Sequence, residues 1–376
     1  MTFRVFQHWD PLRVCVVGRC YPPDFFSWIT NTRARNLFEQ IAQETEEDLQ
    51  KIIQKLRSFE VQILRPEIPN PTLINGTYPK PPITPRDYMV MIGTTFYESW
   101  STNFNEYNYR DIKDPSWPEC STWDEFNRLP THIQEECKTV FGLGLLQTKR
   151  SEYDKIIEII RQKGNIVKSG NNCINGAMVA RIGKDLFFGT NSYDQDLEKT
   201  KNMIDREFLT TRNHVVNTGG HSDGTYCPVC PGLIISTHDI DSYKHTFPGW
   251  EVIYLNRRSL ESHKPFSTLQ LKNQGRWWIP GFEYNNSVID IVERYLKTWV
   301  GNVIETVFDV NMLIIDPKNV IVFNENEILF NAFKRYGITP HIITFRHRHF
   351  WDGGIHCFTT DLDRSGKLKD FFPEQI

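Results

Sequence analysis

Gly353-Gly354-Ile355-His356-Cys357-Phe358-Thr359-Thr360-Asp361, close to the C-terminal end of the 376-residue chain, is the stretch from which the rest can be ordered. A glycine pair lets the backbone turn tightly and approach a ligand with no Cβ in the way. Cys357, four residues after the first glycine, would then sit on a constrained turn with its sulfur facing a cavity. A thiolate there is a strong nucleophile when a nearby cation or imidazolium favours it. The plain alternative is a buried structural cysteine in a glycine-rich loop, so the rest of the chain has to decide.

Eight cysteines in a chain of this length do not read as a disulfide framework. Cys227-Pro-Val-Cys230 has metal-ligand spacing, but zinc usually wants a second pair and no second CxxC exists. With only His214 and His221 nearby, two free thiols on a strand-turn edge and no metal are expected. Net charge is −3 without a strong basic run, which argues against nucleic acid as a partner. No stretch approaches the length of a membrane span, and the first residues carry no apolar run resembling a signal peptide, so a cytoplasmic protein off the membrane is expected.

Val14–Gly18 reads as a buried strand stopped by glycine. Leu49, Ile52, Ile53 and Leu56 have helical spacing, with Glu46, Glu47 and Asp48 taken as a first turn. Val61–Leu64 and Tyr88–Ile92 read as strands around a proline-rich loop at 65–86, and 96–148 as irregular. Tyr153, Ile156, Ile157 and Ile160 predict a helix closed by Gly164, and Leu329, Ala332, Phe333 and Tyr336 one closed by Gly337. Further strands are expected at 185–188, 233–236, 311–315, 320–323 and 341–345. Strands alternating with amphipathic helices imply an α/β architecture. No literal repeat and no flexible linker divide the chain, so 1–376 reads as one domain with an inserted loop at about 256–283.

Four separated stretches carry polar groups that one reaction would need, each at a strand edge or loop where sites are often presented. They are Pro85-Arg86-Asp87, Asn175-Gly176-Ala177-Met178 before an Arg181–Asp185 turn, His221-Ser222-Asp223, and Cys357. Singly, each has an ordinary explanation: a cap, a turn, a solvated histidine. Their joint occurrence is the informative feature.

In that order and spacing the chain resembles the amidinotransferases of the glycine amidinotransferase type, in the guanidine-modifying pentein superfamily. The resemblance runs through Trp9–Arg19, Pro85-Arg86-Asp87, Asn105–Arg110, Arg181–Asp185, His221-Ser222-Asp223, Arg346-His347 and Gly353–Cys357, and leaves out the central insertion. It implies a five-bladed pseudo-symmetric α/β propeller of ββαβ modules around a central funnel, with no cofactor and no metal. It implies amidino transfer from a guanidino donor, arginine or a related guanidine, to an acceptor amine, as in arginine metabolism. The assembly is left open, with a homodimer as one alternative.

The chemistry follows from the residue types. Two carboxylates, Asp87 and Asp223, would fix the plane of a guanidinium. Cys357 would attack its carbon, and His221 would protonate the departing amine and later deprotonate the acceptor, giving ping-pong catalysis through an amidino-cysteine. Gly353 and Gly354 would shape the nucleophile loop. The sequence departs from the family pattern at three places. Asn175 stands where a carboxylate normally orients the histidine, and is expected to accept a hydrogen bond from its N–H. The segment 237–245 contains no arginine to hold a substrate carboxylate. The family's serine pair is replaced by Ile304-Glu305, with Asp309 nearby, so Glu305 and Asp309 join the expected substrate wall and favour a cationic or polyhydroxylated substrate. The alternatives are a hydrolase of the same superfamily, of deiminase or dihydrolase type, and a binding protein of the same fold without turnover.

Overall fold

A computed structural model describes residues 2–68, 78–99, 116–119, 125–126, 128–134, 151–170, 174–190, 197–218, 221–237, 243–255, 282, 285–296, 299 and 308–374. The landmark at 105–110, the residues 238–242, Glu305 and the expected insertion apart from Phe282 lie outside them.

The described strands form five three-stranded sheets built to one plan. In each, two strands pair antiparallel, a helix follows, and a third strand returns parallel to the second. The second sheet contains β3 (Met89–Ile92), β4 (Thr95–Ser99), helix α2 (Asp154–Gln162) and β5 (Ile166–Gly170). The third contains β6 (Val179–Ile182), β7 (Asp185–Thr190), α3 (Leu197–Glu207) and β8 (Arg212–Asn217). The fourth contains β9 (Tyr226–Cys230), β10 (Leu233–Ser236), α4 (Tyr243–Thr246) and β11 (Glu251–Tyr254). After α5 (Asn286–Tyr295), the fifth contains β12 (Leu313–Asp316), β13 (Asn319–Val322), α6 (Glu327–Tyr336) and β14 (Thr339–Ile342). The first sheet is closed by both ends of the chain: β1 (Leu12–Val17), α1 (Thr32–Arg57) and β2 (Gln62–Leu64) are joined antiparallel by β15 (Thr359–Arg364), which follows α7 (Arg348–Trp351). The repeat is therefore present in structure although no literal repeat is present in sequence.

Burial sorts the strands by position. All residues of β3, β6, β9 and β15 are buried, whereas the outer strands β2, β8, β11 and β14 are mostly half-buried or exposed. The first strands face one another across the middle, β15 beside β3 and β6 beside β9. Each is entered by a tight turn: Pro85–Asp87 before β3, Gly176–Met178 before β6, Ser222–Gly224 before β9, residues 308–311 before β12, and residues 355–358 before β15. Five equivalent turns therefore converge on one end of the axis.

Several sequence expectations need correction. The helix carrying Leu49 begins at Thr32, capped by Asn31, so Glu46, Glu47 and Asp48 lie in its interior. Its buried stripe runs from Ala34 and Phe38 through Thr45 and Asp48, and the two polar members hid its length. Residues 95–99 are a strand and not irregular chain. Arg181 lies within β6, and only Gly183-Lys184 make the turn. Asn311 and Met312 precede β12. The strand expected at 341–345 begins at Thr339 and carries Pro340, which an outer strand tolerates. The helices closed by Gly164 and Gly337 are present, with both glycines at positive φ.

The polar interior has its own logic. Asp361 on β15 is fully buried and accepts from Arg86 (2.9 Å), Arg181 (2.8 and 2.9 Å) and Arg364 (2.6 Å), all buried. Burial alone would raise its pKa, but the three guanidiniums, Arg181 foremost, hold it well below the usual carboxylate range. Arg181 also reaches the Met91 carbonyl on β3 at 2.7 Å, so this cluster ties β15, β3 and β6 together beneath the turns. Among the described residues no helix is long and apolar enough to cross a membrane.

Candidate active site

The Arg86–Asp87 turn and the Gly353–Phe358 turn are locked to each other. The Arg86 N–H donates to the Cys357 carbonyl (3.4 Å), and its Nε donates to the carbonyls of His356 (3.4 Å) and Thr359 (3.1 Å). The third turn packs on the first at Gly176, where a Cβ would lie 2.5 Å from the Met89 carbonyl oxygen and 2.7 Å from that of Arg86. Only glycine lets the chain at 176 come so close to the Arg86 and Met89 carbonyls. The fourth turn joins the third through Ser222 Oγ, which donates to the Met178 carbonyl at 2.9 Å.

These contacts leave a rim and a floor. At the rim, the His221 ring lies between Asp87 and Asn175: Nδ1 is 3.9 Å from Asp87 Oδ1, and Nε2 is 3.5 Å from Asn175 Nδ2. The side chains of His221 and Asp87 are 29% and 24% exposed, so solutes can reach them. On the floor, Asp223, His356 and Cys357 are all buried. Asp223 Oδ2 accepts from His356 Nδ1 at 2.7 Å and lies 3.7 Å from Cys357 Sγ. Burial, then the Arg86 charge, pushes the His356 pKa down to about 4, so its imidazole is neutral and Nδ1 carries the proton given to Asp223. Burial would raise the Asp223 pKa, but the His356 hydrogen bond keeps it lowered, as a carboxylate.

Asn175 behaves differently from its expected role. Its Oδ1 accepts from the Ala177 N–H at 2.8 Å, capping the short turn, and this fixes the orientation of the amide. Nδ2 is therefore the atom that faces His221, and asparagine donates to Nε2 instead of accepting from it. The imidazole proton is left on Nδ1, toward Asp87.

Two buried carboxylate oxygens, Asp87 Oδ1 and Asp223 Oδ1, have no hydrogen-bond donor among the described residues. Buried acceptors are rarely left so, unless a ligand or water completes them. Behind the floor, His8, Ala180, Asp223, Tyr226, Cys227 and His356 line a cavity of about 20 Å³, room for about one water. Cys227 and Cys230 are free buried thiols on β9, and among the described residues no cluster of three histidine, cysteine or acidic side chains could hold a metal.

Of the remaining expected site residues, Asp309 is 6% exposed, accepts from Asn326 Nδ2 at 3.2 Å and lies two residues before Asn311. Gly353 packs on the Phe358 ring, 2.9 Å from where a Cβ would be. Gly354 lies under Asn311. Asn311, His356 and Arg86 are the residues that sequence reasoning did not assign. Asn311 and Arg86 stand in the turns before two first strands, and that shared position was the signal available.

No protein-family model matches the chain. Glycine amidinotransferase of Danio rerio, a mitochondrial protein, is 22% identical over 408 aligned residues, spanning 97% of this chain and 84% of the relative. L-arginine:L-lysine amidinotransferase of Pseudomonas savastanoi pv. phaseolicola is 21% identical, spanning 97% of this chain and 95% of the relative. Over nearly its whole length the chain is thus distantly similar to amidinotransferases. The fold agrees. Inosamine-phosphate amidinotransferase of Streptomyces griseus superposes with a TM-score of 0.61 at 15% identity, covering 98% of this chain and 99% of that one. An amidinotransferase of saxitoxin biosynthesis from Microseira wollei gives 0.60 at 15% identity with the same coverage. The five three-stranded sheets are thus the blades of a pentein propeller, and the convergent turns lie at one end of its axis.

Proposed function

We propose that this amidinotransferase-like pentein moves an amidino group from a guanidino donor to an acceptor amine through a covalent intermediate on Cys357. The observation that carries the reading is the placing of Cys357 Sγ 3.7 Å from Asp223, below a rim where Asp87 and His221 are accessible. A guanidinium is planar and cationic, and among the described residues Asp87 and Asp223 each hold an oxygen with no donor, suited to its N–H groups. Fixing that plane over the sulfur converts a bimolecular attack into a positioned one.

The steps balance as follows. The arriving cation favours ionisation of Cys357, whose proton passes to His221, and the thiolate forms a C–S bond with the guanidinium carbon. The C–N bond to the donor breaks, and the departing amine takes a proton from His221. The amidino-cysteine keeps the positive charge between the two carboxylates. An acceptor amine gives a proton to His221 and attacks the same carbon, the C–S bond breaks, and the thiolate returns. His221 reaches both halves because its ring stands at the rim, where amines enter and leave. The donor is a guanidino compound whose tail needs no arginine from 237–245. Asp309, two residues before Asn311, belongs to the wall toward that tail.

The test is incubation of the purified protein with a panel of guanidines, with and without added amines. Amidino transfer gives product only when an amine is present, and Cys357→Ala gives none while remaining folded. Urea-type or ureido product without amine would establish the hydrolase instead, and turnover by folded Cys357→Ala would remove the nucleophile assignment.

A further inference from the structure

Asn311 stands two residues before β12, the position that Cys357 holds before β15 and Asp87 before β3. It is the fifth turn's contribution to the axis, and its side chain is spent on the nucleophile. Asn311 Oδ1 accepts from the Cys357 N–H at 3.1 Å, which fixes the amide so that Nδ2 is the donor to Cys357 Sγ, also at 3.1 Å. Nδ2 donates as well to the Asp223 carbonyl at 3.2 Å, and the Asn311 carbonyl accepts from the His356 N–H at 3.4 Å. The close seat exists because residue 354 is glycine: a Cβ there would lie 2.3 Å from Asn311 Oδ1 and 2.5 Å from its Cβ and Cγ.

An N–H aimed at sulfur is a weak partner for a thiol and a strong one for a thiolate, since hydrogen bonds to ionised acceptors are about twice as strong as neutral ones. The charges around Sγ otherwise pull in both directions. Asp223, from the turn before β9, lies 3.7 Å away and opposes a second negative charge. His356, in the same turn as Cys357, is neutral and spends its proton on Asp223. Arg86, from the turn before β3, is partly neutralised by Asp361, which also carries Arg181 and Arg364. Asp309, two residues before Asn311, and His221 at the rim complete the surroundings.

We infer that Asn311 is a catalytic residue: its Nδ2–H donates to Cys357 Sγ and stabilises the thiolate against the adjacent Asp223 carboxylate. The inference rests on Cys357 being the nucleophile, and its test needs no guanidine, so it stands or falls apart from the transfer reaction. The measurement is the rate of iodoacetamide alkylation of Cys357 against pH in the full chain, with the modified peptide identified by mass spectrometry. Asn311→Asp keeps the oxygen that accepts from the Cys357 N–H and replaces the donor with a second carboxylate oxygen. Its alkylation midpoint should rise by at least one pH unit. Asn311→Ala removes the donor without adding charge and relieves the contact with Gly354; its midpoint should rise by less. Thermal melts confirm that each variant is folded. A midpoint unchanged from wild type in either folded variant would overturn the assignment, as would a lower one.

Discussion

At the residue scale, His221 is held by an amide where the family places a carboxylate, and that amide donates to it. Asn175→Asp should therefore do more than restore a charge. One carboxylate oxygen would still cap Ala177, and the other would accept from a protonated Nε2. The imidazolium that the proposed transfer needs to expel the amine would gain a charge-assisted bond, lowering the barrier by about 1–2 kcal/mol, roughly ten-fold in rate. The basic limb of the pH–rate profile should move to higher pH, because the ring would hold its proton more tightly. Profiles of wild type and mutant measured on one donor and one amine check this. A mutant slower at every pH with changed guanidine preference would make Asn175 a specificity residue. Asp87, His221, Asp223 and Cys357 of the candidate site were legible in sequence because acids, histidine and cysteine announce their chemistry, whereas Arg86 and His356 stood out only as chain neighbours of Asp87 and Cys357. Asn311 was not legible, because an uncharged amide two residues before a strand has many ordinary uses and only its seat over Gly354 singles it out.

At the element scale, the nucleophile turn depends on a contact that tolerates no extra atom. Gly354→Ala would force its Cβ into Asn311, which must move and release both of its bonds to Cys357. Overpacking of this kind costs about 1–3 kcal/mol of stability. Activity should fall far more than the melting temperature does, since the displaced group touches the sulfur proposed as the nucleophile. Parallel assays of turnover and thermal unfolding check the disparity; equal, small losses would mean that the turn absorbs the methyl elsewhere. The elements found from sequence were those whose apolar residues declare themselves, such as β1, β3, β10 and β13. Among the elements missed was a buried strand built largely from polar residues. β15 reads Thr-Thr-Asp-Leu-Asp-Arg and is buried throughout, yet neither an alternating nor a continuous apolar pattern marks it. Its acids are inside because Arg86, Arg181, Arg364 and Arg13 meet them, and those partners lie up to 350 residues away in sequence. Outer strands such as β8 and β11 failed for the opposite reason: they are largely half-exposed and mix polar with apolar residues.

At the scale of the whole molecule, the propeller is tied at its centre by ionic groups out of reach of water. Asp361→Asn would leave three buried guanidiniums without a counter-charge, and breaking a buried pair from one side costs about 3–5 kcal/mol. Urea unfolding should report a loss of that order, and a loss within that of surface substitutions would show that the cluster is not essential to closure. A second dependence comes from His356, whose folded pKa of about 4 lies below the ordinary value of 6.5. Between those values the unfolded chain binds the proton and the folded chain does not. Stability is therefore complete above about pH 6.5 and falls as pH drops toward 4, by up to about 3 kcal/mol. His8, lowered by burial and by Arg181, adds to the same slope. His356→Gln, which keeps a donor for Asp223 but does not titrate, should flatten part of that segment in unfolding curves taken from pH 7 to pH 4.

The reaction itself is tested most directly by the mass of the intact protein after brief exposure to a library of guanidines with no amine present. The account predicts one added amidino group, mapped to Cys357 by peptide analysis, absent in Cys357→Ala, and discharged when an acceptor amine is supplied. An adduct on another residue, or substrate consumed with no mass change on Cys357 even when quenched within a turnover, would contradict it.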